Sequence, residues 1–357
     1  MAVAGAGAFG RNHLRVVREL EAAGEGAALV AAVEPDTARA AEAEKLYGIK
    51  VFTTIDELLK ADLKLDAACV AVPTVKHHEV ASALLDAGLD LLVEKPLAAN
   101  LAEADDLITR AERGGRMMQP GHLERFNPAV LAVEPTLKRP MFCEAHRLSV
   151  FTPRALDVDV VLDLMIHDID IVLAFVDSPV KEIRAVGIPI LSPKVDICNV
   201  RVEFESGCVA NLTASRVSTE RVRKLRFFQP KQYISVDYGR QDVLVFSVGK
   251  AIAQSTAAAN PKLPDPRTGV FESAEVLAAR QAFSGAAVLA QAGIAMSKPA
   301  VAQEEPLKAE LKAFISAVRD HSQPQVTLAE GRRALALALD ILTQAQQHAE
   351  KFHIAGR

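Results

Sequence analysis

Met1-Ala2-Val3-Ala4-Gly5-Ala6-Gly7-Ala8-Phe9-Gly10-Arg11 decides the fold. An apolar run ends in Gly5-x-Gly7-x-x-Gly10, and residues at helical spacing (Leu14, Val17, Leu20) follow at once. The first glycine permits a tight turn, the second lets backbone approach a pyrophosphate, and the third lets helix and strand pack closely. The N-terminus of the following helix attracts phosphate charge. The glycine spacing alone is a weak signal, but Glu34 ends the second apolar run 24 residues after Gly10. A carboxylate there accepts hydrogen bonds from both hydroxyls of a ribose and repels a 2′-phosphate, so the expected cofactor is NAD rather than NADP. The run before the turn, residues 1–4, is short for a strand. Either the true start lies upstream or the strand is clipped.

Reading outward, residues 29–33, 67–72 and 91–93 are apolar enough for buried strands. Helical patterns cover 11–23, 37–46 and 77–86, the last closed by Gly88. Asn100 and Glu103 have capping-box spacing and open a helix that ends at Gly114-Gly115. Strands alternating with helices imply βαβ units and a parallel sheet. The pattern changes after about Gly121. Asn127-Pro128 starts a helix, 141–150 is a strand, and 158–176 is apolar round most of its circumference, as a buried helix would be. Six β-like runs follow, at 184–190, 197–205, 208–215, 224–229, 233–237 and 243–248, with Ser206-Gly207 as a tight hairpin. Their short links predict an antiparallel sheet. Helices at 307–319 and 328–350 finish the chain. Residues 251–304 read partly as a loop or lid and partly as a helix over 272–283. With 357 residues, the expected organisation is two domains, 1–121 and 122–357, in an α/β chain.

Composition narrows the function. A net charge of −4 leaves no electrostatic footprint for nucleic acid, and the absence of Trp with only three Tyr leaves no stacking platform. Cys69, Cys143, Cys198 and Cys208 form no CxxC pair and lie in apolar runs, as buried thiols of a reducing compartment do. No signal peptide is visible, and the longest uncharged run, 281–297, is too short and too mild to span a bilayer. Cytoplasmic residence is the expectation.

Two segments carry chemistry. Lys95, in Glu94-Lys95-Pro96, follows a buried strand at the edge where parallel sheets bind ligands; its alternative is a solvated loop lysine. Asp163 and His167 are four apart on the expected helix and so share a face. The carboxylate could orient the imidazole for proton transfer; the alternative is a surface ion pair or a core histidine bonded to backbone. Asp168 and Asp170 raise metal binding, but no second strong ligand accompanies them, and none is expected. Arg216, Arg221, Arg223, Lys224 and Arg226 could bind a diphosphate, border a subunit or form a solvated strand face.

The ordered set Gly5-Ala6-Gly7-Ala8-Phe9-Gly10, Pro73-Thr74-Val75-Lys76-His77, Glu94-Lys95-Pro96 and Asp163-x-x-x-His167-Asp168 resembles the glucose-fructose oxidoreductase / inositol dehydrogenase / rhizopine-catabolism family. The resemblance covers most of the chain except roughly 251–304. It implies an N-terminal Rossmann domain and a C-terminal α+β domain with an open, mostly antiparallel sheet that serves as a homodimer or homotetramer interface. It also implies Lys95, Asp163 and His167 as the catalytic trio. Gly5, Gly7, Ala8, Phe9, Gly10, Pro73, Thr74 and His77 would line the cofactor cleft, with Glu94 and Lys95 near the nicotinamide ribose.

Gly121-His122-Leu123-Glu124-Arg125-Phe126-Asn127-Pro128, with Met165-Ile166-His167-Asp168-Ile169-Asp170, resembles the branch that oxidises UDP-N-acetylhexosamines at C3. That implies His122, Arg125, Asn127, Asp163 and His167 at the substrate, with Arg125 and Asn127 as candidates for sugar or diphosphate contacts; an ion pair and an N-cap are the alternatives for these two. The implied activity is NAD-dependent oxidation of a secondary hydroxyl. His167, or Lys95 if burial makes it neutral, takes the proton, and Asp163 holds the imidazole. The alternatives are an inositol or free-sugar dehydrogenase, a redox-neutral enzyme that retains its NAD, and a non-catalytic NAD-binding sensor.

Overall fold

The glycine turn joins a short strand, β1 (Ala2–Ala4), to helix α1 (Gly10–Ala22) in the computed structural model, which describes residues 1–152, 158–248 and 293–351. Gly5 has φ +97°, and a Cβ there would lie 2.6 Å from the Ala71 carbonyl oxygen; one on Gly10 would lie 2.0 Å from the Gly5 carbonyl oxygen. Both positions therefore exclude a side chain by contact with backbone. The first unit continues with β2 (Ala31–Val33), α2 (Thr37–Tyr47), β3 (Lys50–Phe52), α3 (Ile55–Lys60), β4 (Ala67–Val70), α4 (His77–Asp86), β5 (Asp90–Glu94), α5 (Leu101–Gly114) and β6 (Met118–Gly121). The strands pair in parallel in the order β3-β2-β1-β4-β5-β6. This is the doubly wound Rossmann order. The expected cap of α5 is present: Asn100 Oδ1 accepts the Glu103 N–H at 3.0 Å and the Glu103 carboxylate accepts the Ala99 N–H at 3.2 Å. Such a cap is worth about 1 kcal/mol.

The second unit comprises α6 (Pro128–Val133), β7 (Phe142–Val150), α7 (Ile166–Phe175), β8 (Val180–Ile188), β9 (Ile197–Phe204), β10 (Val209–Ser218), β11 (Val222–Gln229), β12 (Gln232–Asp237), β13 (Asp242–Val248), β14 (Ile294–Ser297), α8 (Pro306–Asp320) and α9 (Leu328–Lys351). Its sheet runs β14-β13-β12-β11-β7-β10-β9-β8. All neighbours are antiparallel except β7 and β10, which are parallel. Alternation places Cys198, Val200, Val202 and Phe204 of β9 and Ala210, Leu212 and Ala214 of β10 in one core with Ile169, Val172 and Ile341. All four cysteines are free and buried.

Four short strands and helices depart from the expectation: β3, α3, β6 and β14. The predicted helix over 272–283 lies outside the described residues. The last two helices also change the domain picture. Leu311 and Phe314 of α8 are buried with Val3, Leu14 and Val17 in the core of the first unit. Leu335 of α9 joins the opposite core of that unit, while Leu337, Ala338 and Ile341 join the second. At Gly331 a Cβ would lie 2.5 Å from Pro120 of β6, so only glycine lets α9 come this close. The segment read as wholly part of a second domain thus contributes to both. Among the described residues no helix is long and apolar enough to cross a membrane.

Candidate active site

A cleft of about 700 Å³ opens at the C-terminal edge of β1, β2 and β4, lined by Gly5, Gly7, Glu34, Arg39, Val72 and Pro73. A second cavity of the same volume, about 700 Å³, lies at the opposite edge, beside Met1, Ala67 and Asp90. Only the first occupies the edge where such sheets bind ligands. A Cβ on Gly7 would meet nothing within 4 Å, so the open space above it is left free for a dinucleotide. The Glu34 carboxylate accepts the Ala6 N–H at 2.8 Å, the Asp36 N–H at 3.0 Å and Arg39 Nη2 at 2.9 Å. Burial works against its charge, but Arg39 and the two amides outweigh burial and hold the pKa below the ordinary value. An ionised carboxylate fixed against the glycine turn fits a ribose diol. Arg39 was not singled out by sequence, although it lies one helical turn into α2 from the capping Asp36.

Lys95 follows β5 directly. Its Nζ donates to the Asp163 main-chain oxygen at 2.6 Å and to Asp163 Oδ1 at 3.3 Å. The structure thus joins Lys95 to Asp163, across 68 residues of sequence. It does not join Asp163 to His167. Residues Val161–Met165 form a π-helical turn before α7, and a wider turn breaks the alignment of residues four apart. The expectation that Asp163 holds the imidazole is corrected: His167 Nδ1 is buried without a hydrogen-bond partner. Burial, then the charges of Lys95 and Arg147, drives the His167 pKa well below its ordinary 6.5. His167 is therefore a neutral imidazole within the field of Lys95.

Several other expected site residues have partners within the protein. Glu94 is buried and its Oε1 lies 2.7 Å from His13 Nε2, which ties the end of β5 to α1. Burial disfavours the His13 cation, but contacts with Cys69 and Glu94 more than offset this and raise its pKa to about 10. His77 is buried, with Nδ1 2.8 Å from the Pro96 oxygen and Nε2 3.0 Å from the Val72 oxygen. It ties the loop after β4 to the loop after β5, and burial lowers its pKa. A neutral ring donates to only one of those carbonyls at a time.

Arg125 bonds Glu330 at 2.8 Å and lies 3.7 Å from Asp170, and Asn127 caps α6 by accepting the Ala129 N–H at 3.0 Å. His122, directly after β6, is 1% exposed, with Nδ1 3.9 Å from Asp170. Arg125 and Asn127 are thus committed to partners within the fold, whereas neither ring nitrogen of His122 has a hydrogen-bond partner. Ala8 and Phe9 are exposed beside the turn, and Thr74 begins the 3-10 turn after Pro73.

Sequence reading also missed a buried cluster below His167. Arg147 of β7 donates through Nε and Nη2 to Asp168 at 2.7 and 2.9 Å and through Nη1 to Glu124 at 3.0 Å. The Tyr238 ring covers its guanidinium at 5.0 Å. This bidentate clamp fixes Asp168, and with it the first turn of α7 that carries His167. The spacing Asp168–Arg147 crosses from helix to sheet and leaves no local signal. Among the described residues no group of three or more His, Cys, Asp or Glu side chains could hold a metal ion.

Comparison with known proteins agrees with this geometry. Residues 1–122 match the model of the oxidoreductase family with an NAD-binding Rossmann fold, and 131–234 match the GFO/IDH/MocA C-terminal domain. The UDP-N-acetylglucosamine 3-dehydrogenase of Acidithiobacillus ferrooxidans is 31% identical over 340 residues, 95% of each chain. A solved structure of that enzyme superimposes with a TM-score of 0.81 at 29% identity, covering 98% of both chains. An inositol 2-dehydrogenase of Corynebacterium glutamicum is 36% identical over 128 residues, 35% of this chain and 37% of its own. The chain belongs to the GFO/IDH/MocA oxidoreductases and is an NAD-dependent dehydrogenase of CH–OH groups in this family of sugar oxidoreductases.

Proposed function

We propose that this enzyme oxidises the C3 hydroxyl of a UDP-N-acetylhexosamine, with Lys95, Asp163 and His167 as its catalytic residues. The observation that carries the reading is the anchored ammonium: Lys95 Nζ is held by two oxygens of Asp163 at the C-terminal edge of β5, within the field of a neutral His167. The full-length likeness to a UDP-N-acetylglucosamine 3-dehydrogenase supports the choice of sugar.

NAD held over the glycine turn and Glu34 would supply the hydride acceptor for the carbinol carbon. Lys95 donates a hydrogen bond to the substrate oxygen and stabilises the negative charge that develops there, a preorganised effect worth several kcal/mol. His167, neutral because of burial and neighbouring cations, takes the hydroxyl proton. Asp163 aims the ammonium and offers its second oxygen to an adjacent hydroxyl. The products are the ketone, NADH and one proton.

An aromatic row, Phe142–Phe228–Tyr233–Phe246, crosses four strands with centroids 5.5, 5.0 and 5.7 Å apart. Its residues alternate with the core-facing ones, so it occupies the face away from the helices. We infer that this face joins copies of the chain into a homodimer or homotetramer. The activity is tested by incubating the purified protein with NAD and a panel of UDP-sugars, free sugars and inositols while following NADH. Net NADH from UDP-N-acetylglucosamine supports the reading. Turnover confined to inositols would replace it, as would binding of NAD without turnover of any member.

A further inference from the structure

We propose that Arg223 recognises a phosphate on the sugar substrate, with Arg221 beside it, and so separates nucleotide-sugars from neutral polyols. This deepens the function proposed above and rests on it.

On β11 the core-facing row is Arg223, Leu225 and Phe227, of which Leu225 and Phe227 are fully buried. Phe227 meets Phe175 of α7 edge-on at 5.5 Å, so this row faces α7. Arg223 continues it past the end of the core and is exposed to solvent over only part of its surface. Its register partner on β7 is Arg147, the residue that grips Asp168 next to His167. Arg223 therefore lies at the end of the sheet that faces the start of α7, where the proposed chemistry takes place.

The charges around it are uneven. The nearby carboxylates, Asp168 and Glu124, are both bonded to Arg147. Among the described residues Arg223 has no ion pair or side-chain hydrogen bond, and neither has Arg221. The rest of the basic cluster is committed: Arg216 to Asp196 at 2.6 Å, Arg226 to Glu144 at 2.8 Å and Lys224 near Asp237 at 4.0 Å. Like charges directly opposite on neighbouring strands destabilise a sheet. Partial burial and the Arg147 charge lower the Arg223 pKa, the mark of a cation without its counterion. A phosphate bound here would relieve the repulsion and accept the planar two-pronged donor that guanidinium offers. A neutral cyclitol offers it nothing comparable.

The test compares wild type, Arg223→Ala and Arg223→Lys with NAD and three substrates: UDP-N-acetylglucosamine, N-acetylglucosamine 1-phosphate and N-acetylglucosamine. Calorimetric titration of each protein with UDP accompanies the kinetics. Loss of charge-assisted hydrogen bonds predicts a KM for UDP-N-acetylglucosamine about 10- to 100-fold higher in Arg223→Ala, with kcat changed far less. Arg223→Lys should recover part of the loss, and UDP binding should weaken in parallel. A similar rise for the 1-phosphate assigns the contact to the sugar-linked phosphate; a rise for the UDP-sugar alone assigns it to the outer phosphate. Equal losses for all three substrates, or a lowered melting temperature with unchanged KM ratios, would mean that Arg223 only balances the Arg147 cluster and would overturn the proposal. The UDP titration separates the two readings: wild type that binds UDP through Arg223 but oxidises none of the sugars upholds this inference and removes the proposed reaction. Wild type that does not bind UDP removes the inference.

Discussion

Replacing Glu34 with Gln should move cofactor preference towards NADP. Glu34 is ionised and fixed by three donors, the Ala6 and Asp36 amides and Arg39. Were a 2′-phosphate on the adenosine ribose brought to about 5 Å from this carboxylate, two unit charges at an effective dielectric constant near 20 would repel by about 3 kcal/mol, roughly 150-fold in affinity. Arg39 already offsets part of that charge and is half exposed, so the measured discrimination should fall between roughly 10- and 150-fold. Glutamine removes the repulsion and releases Arg39 to meet the phosphate. It also turns an NH2 towards one of the donors that Glu34 now satisfies, at a cost of about 1–3 kcal/mol in stability.

The assay is titration of NADH and NADPH by calorimetry, which needs no substrate and suits a chain without Trp. Glu34→Gln should tighten NADPH binding, weaken NADH binding modestly and lower the melting temperature. Adding Arg39→Ala should abolish the NADPH gain. A ratio of NADH to NADPH affinity within about threefold of wild type, or equal weakening of both, would refute the reasoning.

Two further outcomes follow from the geometry. Lys95→Met removes the charge expected to stabilise the developing alkoxide; kcat should fall about 10²- to 10³-fold while NADH affinity, measured by calorimetry, stays near wild type. Wild-type turnover would exclude Lys95 from the chemistry. His13→Gln tests the buried pair with Glu94. The folded pKa of about 10 exceeds the ordinary 6.5, so the stabilisation is complete below pH 6.5 and disappears as pH rises through about 10. Urea midpoints of wild type should drop between pH 6.5 and 10, whereas those of His13→Gln should be flatter; parallel profiles would show that His13 is neutral in the folded protein.

Local chemistry made much of the fold legible. The glycine turn, the Asn100 cap and the 2-residue periodicity of β9 to β13 each announce their element within a few positions. What escaped was either too short or too distant in sequence. Lys50–Phe52 offers three residues, and Met118–Gly121 contains Pro and Gly yet is wholly buried, a central feature of the sheet edge that turn chemistry disguises. The parallel pairing of β7 with β10 and the return of α8 to the first core depend on contacts that no local period encodes.

At the site, residue types pointed to Lys95, Asp163 and His167, but not to their arrangement. The π-helical turn at Val161–Met165 reassigns Asp163 from His167 to Lys95, and helical spacing gives no warning of it. Glu94, His77, Arg125 and Asn127 lie in the expected motifs and also have partners inside the protein, which residue type alone did not reveal.

The most direct measurement uses UDP-N-acetylglucosamine carrying deuterium at C3, incubated with the enzyme and NAD, with the label followed by mass spectrometry. Hydride transfer at the proposed site predicts deuterated nicotinamide cofactor, a 3-keto sugar product and loss of both in Lys95→Met. NADH free of label, or a ketone at another carbon, would contradict the account.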